Sequence, residues 1–354
     1  MTQKGINHLK TSVKVGLIGY GFGGAVFHAP MITAVQGFEL SVIYTSNEEK
    51  VKLTYPDVLV TTNLADIWND TEVELIVIST PNTTHYELAK SALEAGKHVV
   101  IDKPFVINLT EGEELIQLAK ERGKQLSVYQ CRRWDSDFQT VRRLIAEDTF
   151  GEIYSFEAHY DRFRPEVKDR WKEKNEPGSG TLYDLGSHLI DQALQLFGNP
   201  LTVTADCLAQ RQGSEVNDYF HLILGYGSCR VILHSGSLVR GRGPRYQIHG
   251  SKASFIKFGE DPQEKTLLEG LRPGMTGWGQ EDETEYGELI TSDGAANVKI
   301  PSEVGAYEQF YECMYEAIVN HRPVPAVAEQ SLDVIRVIQL AELSSAEGRT
   351  LKFQ

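Results

Sequence analysis

An apolar run that breaks into a glycine cluster lies near the start of the 354-residue chain and constrains everything after it. Val13–Ile18 reads as a buried strand. Gly19-Tyr20-Gly21-Phe22-Gly23-Gly24 follows, with Gly19, Gly21 and Gly24 in G-x-G-x-x-G spacing. In that spacing the first glycine permits a tight turn and the second lets the backbone approach a pyrophosphate. The third lets helix and strand pack closely. Free N–H groups at the start of the next helix, Gly24–Val35, then face an anion. The same residues also suit a tight strand-to-helix turn with no ligand, so the rest of the chain has to decide.

The alternation that follows favours a ligand site. Strand-like Phe38–Tyr44, Asp57–Thr62, Leu75–Ser79, Val99–Ile101 and Leu126–Tyr129 alternate with helix-like Glu48–Tyr55, Leu64–Asp70, Thr84–Ala95 and Leu109–Arg122. Thr84-x-x-Glu87 reads as a capping box, and Gly96 and Gly123 as helix stops. This order predicts a parallel, doubly wound sheet. Ligands bind at the carboxyl ends of such strands, which singles out Gly19–Gly24, Thr80–His85 and Asp102–Pro104. The second strand ends in Tyr44-Thr45-Ser46-Asn47, without the acid that would bind the ribose of NAD. Hydroxyls of Thr45 and Ser46, with Lys50 or Lys52 nearby, suit a 2′-phosphate, which favours NADP over NAD. The same residues suit a plain turn. Lys103 stands between Asp102 and Pro104 at a ligand edge. A solvated surface lysine and a desolvated catalytic lysine fit that position equally well.

The pattern changes in the second half. Ser136–Glu147 is an amphipathic helix. Strand-like runs then dominate: Ile153–Tyr160, Thr202–Ala209, Tyr219–Gly225, Cys229–Ser237, Arg245–His249 and Ser254–Phe258. Runs of strands without intervening helices predict an antiparallel sheet in an α+β domain. Asp161–Gly180 reads as a charged, proline-containing loop and Leu267–Asp293 as a long polar loop. Ala306–Asn320 and Glu329–Glu347 read as helices, and Thr350–Phe353 as an edge strand. In Gly178–Asp191, the residues Asp184, His188 and Asp191 are spaced i, i+4 and i+7 and share one helix face. One carboxylate there suits fixing an imidazole tautomer while the ring exchanges a proton with substrate. A capping aspartate beside a structural histidine is the plainer alternative.

Bulk properties exclude some classes. The length suits about two domains, divided here as 1–130 and 131–354. A formal net charge of −14 argues against general affinity for nucleic acid or an anionic membrane. The four cysteines are scattered, with no Cys/His metal spacing, which points to a reduced, cytoplasmic protein with free thiols and no metal. Met1–Ser12 is polar and unlike a signal peptide, and no run approaches the ~18 apolar residues of a membrane span.

Taken together, the chain resembles the Gfo/Idh/MocA family of sugar and polyol oxidoreductases. The resemblance rests on the glycine fingerprint, Thr80-Pro81-Asn82-Thr83-Thr84-His85, Gly96-Lys97-His98-Val99-Val100-Ile101-Asp102-Lys103-Pro104 and Asp184-x-Gly-x-His188-x-x-Asp191. Tyr129–Asp135, Tyr160–Pro165 and Gly243–Gly250 are similar to the family's NADP-dependent scyllo-inositol dehydrogenase subgroup. The resemblance implies an N-terminal Rossmann domain and a C-terminal α+β domain with a large open, mostly antiparallel sheet. It also implies a homodimer or homotetramer. It assigns Lys103, Asp184 and His188 to catalysis, and Gly19, Gly21, Phe22, Gly24, Thr45, Ser46, Thr80, Pro81, Asn82, His85, Asp102 and Lys103 to the cofactor. Lys103, Arg133, Tyr160, Asp184 and His188 are the expected substrate contacts, with Arg164 and Trp171 as weaker ones. Two departures stand out. Asp102 replaces the family's glutamate and is one methylene shorter, and Cys131 stands where close relatives often have asparagine. The expected reaction interconverts a secondary alcohol and a ketone on a cyclic polyol or sugar with NADP(H). The alternatives are a catalytically silent NADP-binding regulatory protein, or a dehydrogenase of another sugar or a dihydrodiol.

Overall fold

The computed structural model describes residues 12–291 and 297–354. The polar start read in Met1–Ser12 therefore lies, apart from Ser12, outside the described residues.

The first half forms β1 (Val13–Ile18), a wide π-wound turn (Gly23–His28) running into α1 (Ala29–Ala34), β2 (Phe38–Tyr44), α2 (Glu48–Lys52), β3 (Leu59–Thr61) and α3 (Leu64–Trp68). It continues with β4 (Val73–Ile78), α4 (His85–Glu94), β5 (His98–Asp102), α5 (Leu109–Arg122) and β6 (Leu126–Tyr129). All six strands are parallel, in the order β3-β2-β1-β4-β5-β6. The chain reverses its winding between β1 and β4, which opens a crevice at their carboxyl ends. Val13, Val15, Leu17 and Ile18 of β1 are fully buried, as a central strand covered on both faces requires. Each such side chain contributes about 1.5–3 kcal/mol over an exposed one. Local chemistry sets the helix ends. The Asn47, Asn63 and Asn108 side chains accept from the first-turn N–H groups of α2, α3 and α5, and Gly123 ends α5 in the left-handed region at φ 61°. The capping box predicted at Thr84 does not form. The Thr84 hydroxyl lies against Pro81 O and Thr80 Oγ1 instead, because a short 3-10 turn, Asn82–Thr84, precedes α4.

The second half adds α6 (Ser136–Ala146), β7 (Ile153–His159), a π-wound turn (Leu182–Gly186) into α7 (Ser187–Phe197), β8 (Thr202–Leu208), β9 (Tyr219–Tyr226), β10 (Cys229–Gly236), β11 (Tyr246–Gly250) and β12 (Ala253–Lys257). Then come α8 (Gln263–Leu268), β13 (Gly287–Thr291), β14 (Val298–Ile300), α9 (Glu308–Val319), α10 (Ala328–Glu347) and β15 (Leu351–Lys352). Nine strands form one open sheet in the order β14-β13-β12-β11-β7-β10-β9-β8-β15. Every pairing is antiparallel except β7 with β10. The predicted polar loop at 267–293 is thus partly sheet, since Gly287–Thr291 pairs with β12; residues 292–293 lie outside the described residues. The C-terminal edge strand forms as predicted, pairing Leu351 with Val203.

The two halves are not separate in space. Phe310, Tyr311 and Met314 of α9 share one buried cluster with Val13, Val15 and Leu17 of β1. The late helix therefore helps to close the core of the first sheet. Among the described residues no helix is long and apolar enough to cross a membrane.

Candidate active site

The glycine cluster meets the test of a dinucleotide cradle. Gly19 has φ +97°, and a Cβ there would lie 2.3 Å from Ser79 O. A Cβ on Gly24 would lie 2.1 Å from Gly19 O, whereas one on Gly21 would meet nothing within 4 Å. The first and third glycines thus let protein pack on protein, while the second leaves open space over the turn. Gly23, unremarked in the sequence, is tight against side chains, because its Cβ would lie 2.6 Å from Ser79 Oγ and 2.8 Å from Asp102 Oδ2. Phe22 is 58% exposed beside the loop and contacts the Phe27 ring edge-on.

The neighbouring strand ends are held by internal bonds. The buried His85 ring places Nδ1 2.9 Å from Pro104 O and Nε2 3.1 Å from Thr80 O, so it couples the end of β4 to the end of β5. Asn82 donates to Gly178 O at 2.8 Å and joins the crevice to the second half. Thr80 and Pro81 shape the turn between them, with Thr80 Oγ1 2.7 Å from Thr84 Oγ1. At the end of β2, Thr45 Oγ1 accepts from Asn47 N, and Ser46 is exposed. Lys50 Nζ lies 5.3 Å over the Tyr20 ring, at the glycine turn. Lys52 turns away and donates to Pro56 O and Val58 O.

Asp102 accepts from its neighbour Lys103 N at 2.8 Å and from Ser79 Oγ at 3.1 Å, and His28 Nε2 lies 3.4 Å away. Burial would raise its pKa, but His28 and Lys103 outweigh that and hold it down at about 2. His28, on the π-wound turn, has its other ring nitrogen 2.6 Å from the Tyr311 hydroxyl. The sequence reading passed over this residue.

Lys103 crosses from the first half to the second. Its Nζ donates to Asp184 O at 2.6 Å and to Asp184 Oδ1 at 3.0 Å. Lys172, also absent from the sequence reading, donates to the same Oδ1 at 2.6 Å. Burial would raise the Asp184 pKa, but the two ammonium groups push it far below the carboxylate range. Burial, reinforced by Lys172, pulls Lys103 below the usual lysine range against the pull of Asp184 and Asp102. Asp184 sits in a π-wound turn at Leu182–Gly186, a geometry concentrated at functional sites.

That widening changes the predicted stripe. Asp184 faces the two lysines, and no Asp184–His188 hydrogen bond forms among the described residues. His188 is 6% exposed, and its Nδ1 is buried without a hydrogen-bond partner. Burial, then the Lys103 and Arg132 cations, hold the ring well below the ordinary imidazole pKa, hence neutral at pH 7.

Asp191 and Arg133 form a buried two-pronged pair, Nε to Oδ2 at 2.8 Å and Nη2 to Oδ1 at 2.7 Å. Tyr160, expected to contact substrate, is 1% exposed. It donates to Asp135 at 3.1 Å, and the Arg245 and Arg132 guanidiniums lie over its ring at 3.9 and 5.2 Å. Arg133 and Tyr160 are thus fully engaged inside the protein. Asp191→Ala, which leaves Arg133 buried and unpaired, is expected to cost about 3–5 kcal/mol of stability, read as a lower urea midpoint. Cys131 is buried, and burial pushes its thiol pKa up. A cleft lined in part by Arg164, Lys172, Thr181, Asp184 and Asn217 opens beside the Lys103–Asp184 pair.

Comparison with known proteins agrees with this arrangement. The family description "Oxidoreductase family, NAD-binding Rossmann fold" matches residues 13–130, and "Oxidoreductase family, C-terminal alpha/beta domain" matches residues 142–353. The chain is 45% identical to the scyllo-inositol 2-dehydrogenase (NADP(+)) IolW of Bacillus subtilis, covering 97% of this chain and 96% of that protein. It is also 45% identical to the uncharacterized oxidoreductase YdgJ of Escherichia coli, covering 97% and 99%. The solved structure of the oxidoreductase yvaA from Bacillus subtilis superposes with a TM-score of 0.95 at 45% identity, covering 99% of this chain and 100% of that one. A parallel sheet with the glycine cradle, a second open sheet and these matches along nearly the whole chain place this protein in the Gfo/Idh/MocA family of oxidoreductases.

Proposed function

We propose that this oxidoreductase uses NADP(H) to interconvert a secondary alcohol and a ketone on a cyclic polyol or sugar, with scyllo-inositol and its ketone as the pair tested first. The observation that carries the reading is the Lys103 ammonium, fixed on Asp184 at 2.6 and 3.0 Å close to the neutral, buried His188. Gly19, Gly21, Gly24, Thr45, Ser46 and the Thr80–His85 turn would hold the dinucleotide. When bound, it supplies the hydride acceptor for the carbinol carbon. In oxidation, His188 takes the hydroxyl proton, a role open only to an uncharged ring. Lys103 donates a hydrogen bond to the same oxygen and stabilises the negative charge that develops there. Asp184 keeps Lys103 protonated and aimed, and Lys172 holds Asp184 ionised from the other side. Arg164 and Lys172 border the cleft that would take the remaining hydroxyls.

The NADP preference rests on the end of β2, which has hydroxyls where an NAD enzyme has a carboxylate, and on Lys50 beside the glycine turn. Thr45→Asp is expected to shift the kcat/KM ratio for NADP over NAD toward NAD by roughly tenfold or more, the scale of one misplaced charge. The direct test follows nicotinamide absorbance with inositols, inososes and aldoses against both cofactors. Turnover confined to cyclic polyols with NADP(H) supports the proposal. Stoichiometric NADP(H) binding with no turnover on any member would replace it with a silent, regulatory role.

A further inference from the structure

The outer face of the nine-stranded sheet carries a group of side chains that the proposed reaction does not use. His159 on β7, His234 on β10 and His221 on β9 form a row across three adjacent strands, because His234 is in register with both of the others. They alternate with the buried residues Ala158, Leu233 and Leu222, so their rings project from the face opposite the core. Asp161, two residues beyond His159, lies on the same side. Its Oδ1 is 2.8 Å from His234 Nδ1 and its Oδ2 3.4 Å from His159 Nδ1.

We propose that His159, Asp161 and His234 form a binding site for a divalent transition cation of the Zn²⁺ class. One ligand atom from each converges, and the three lie within 4.8 Å of one another. A filled zinc site, with bonds of about 2.0–2.2 Å, has its donor atoms roughly 3.5 Å apart. Asp161 lies 2.8 and 3.4 Å from the two ring nitrogens, at or inside that spacing. The backbone under it is already fixed: Tyr160 N donates to His234 O, Arg162 N to Gly236 O, and Gly236 N to Asp161 Oδ1, each at 3.0 Å.

The hydrogen bonding around the group is incomplete. His159 Nε2 and His234 Nδ1 are buried and make no aligned hydrogen bond. Such nitrogens are normally satisfied; here His234 Nδ1 faces Asp161 Oδ1 at 2.8 Å, and His159 Nε2 lies 3.7 Å from Glu157 Oε2. Two nitrogen donors and one oxygen favour zinc, cobalt, nickel or copper over magnesium or calcium, which prefer all-oxygen shells. Three protein ligands leave one position for water. The site escapes sequence inspection because His234 is 75 residues from His159 and joins it only through the β7–β10 pairing.

The test uses the full-length protein with the metals alone. Equilibrium dialysis with elemental analysis is expected to give about one Zn²⁺ per chain, and Co²⁺ should develop visible d–d bands. His159→Gln, His234→Gln and Asp161→Asn are each expected to weaken uptake at least ~10-fold, while His221→Gln keeps it. Zn²⁺ should raise the Tm of the wild type, and Mg²⁺ and Ca²⁺ should not. Circular dichroism and retained NADP(H) binding identify folded variants, and the three ligand variants serve as replacements for one another. Absence of zinc uptake by the wild type overturns the proposal. So does uptake by folded His234→Gln and Asp161→Asn proteins equal to that of the wild type.

Discussion

Lys103→Ala is expected to reduce turnover by ~10² or more while NADP(H) still binds. The lysine reaches across the crevice, and Asp184 holds its Nζ through both the carbonyl and the carboxylate. Its charge is therefore in place before substrate arrives and needs little reorganisation as negative charge develops on the alcohol oxygen. The glycine turn that would carry the pyrophosphate is formed by backbone and does not depend on this side chain. Loss should accordingly appear in kcat, with dinucleotide affinity by fluorescence titration little changed. Near-normal turnover in the variant would remove Lys103 from the mechanism. A parallel fall in cofactor affinity would point instead to a collapsed crevice.

The second large effect concerns His188. His188→Gln is expected to lower kcat by ~10²–10⁴, the contribution of a positioned proton-transfer group. The wild-type pH profile carries the sharper information. The proposed oxidation would need the neutral ring, present above its pKa, and the charged lysine, present below its own. Burial depresses both pKa values. The acid limb of kcat/KM should therefore lie below the usual imidazole region near pH ~6.5, and the alkaline limb below the lysine region near ~10.4. In His188→Gln the acid limb should disappear and the alkaline limb remain. An acid limb centred on the ordinary imidazole value, or one that survives in the variant, would show that another group takes the proton.

The fold was largely legible in the sequence, and so was the tight glycine turn at the end of β1. Gly19 and Gly24 are demanded by contacts of 2.3 and 2.1 Å that any longer side chain would violate, so their spacing carries structure directly. The six strands of the first half repeat at intervals that only a parallel sheet explains. The remainder was hidden where tertiary contacts decide. Gly287–Thr291 is a strand because β12 and β14 pair with it on either side. Lys172 sits in an irregular charged segment and gains its importance from a partner twelve residues on, Asp184. His28 looked like one more helical residue until the π-wound turn set it beside Asp102 at the end of β5. The Asp184-His188-Asp191 stripe assumed regular α geometry; one widened turn sends the first residue to the lysines, and Arg133 claims the last.

The hold of Asp184 on Lys103 also bears on selectivity among similar hydroxyls. An ammonium has three N–H bonds, and the Asp184 carbonyl and carboxylate each take one. One remains, pointing along a single line. A freely rotating cation would attract every nearby oxygen about equally, whereas this one behaves as a stylus and can mark only one. Under the proposed reaction, on a ring whose hydroxyls differ only in orientation, the carbon oxidised would be the one whose oxygen lies on that line while its proton faces His188. An arginine at 103 would keep the charge but bring a planar fork of five N–H bonds, and with them lose the ability to single out one oxygen.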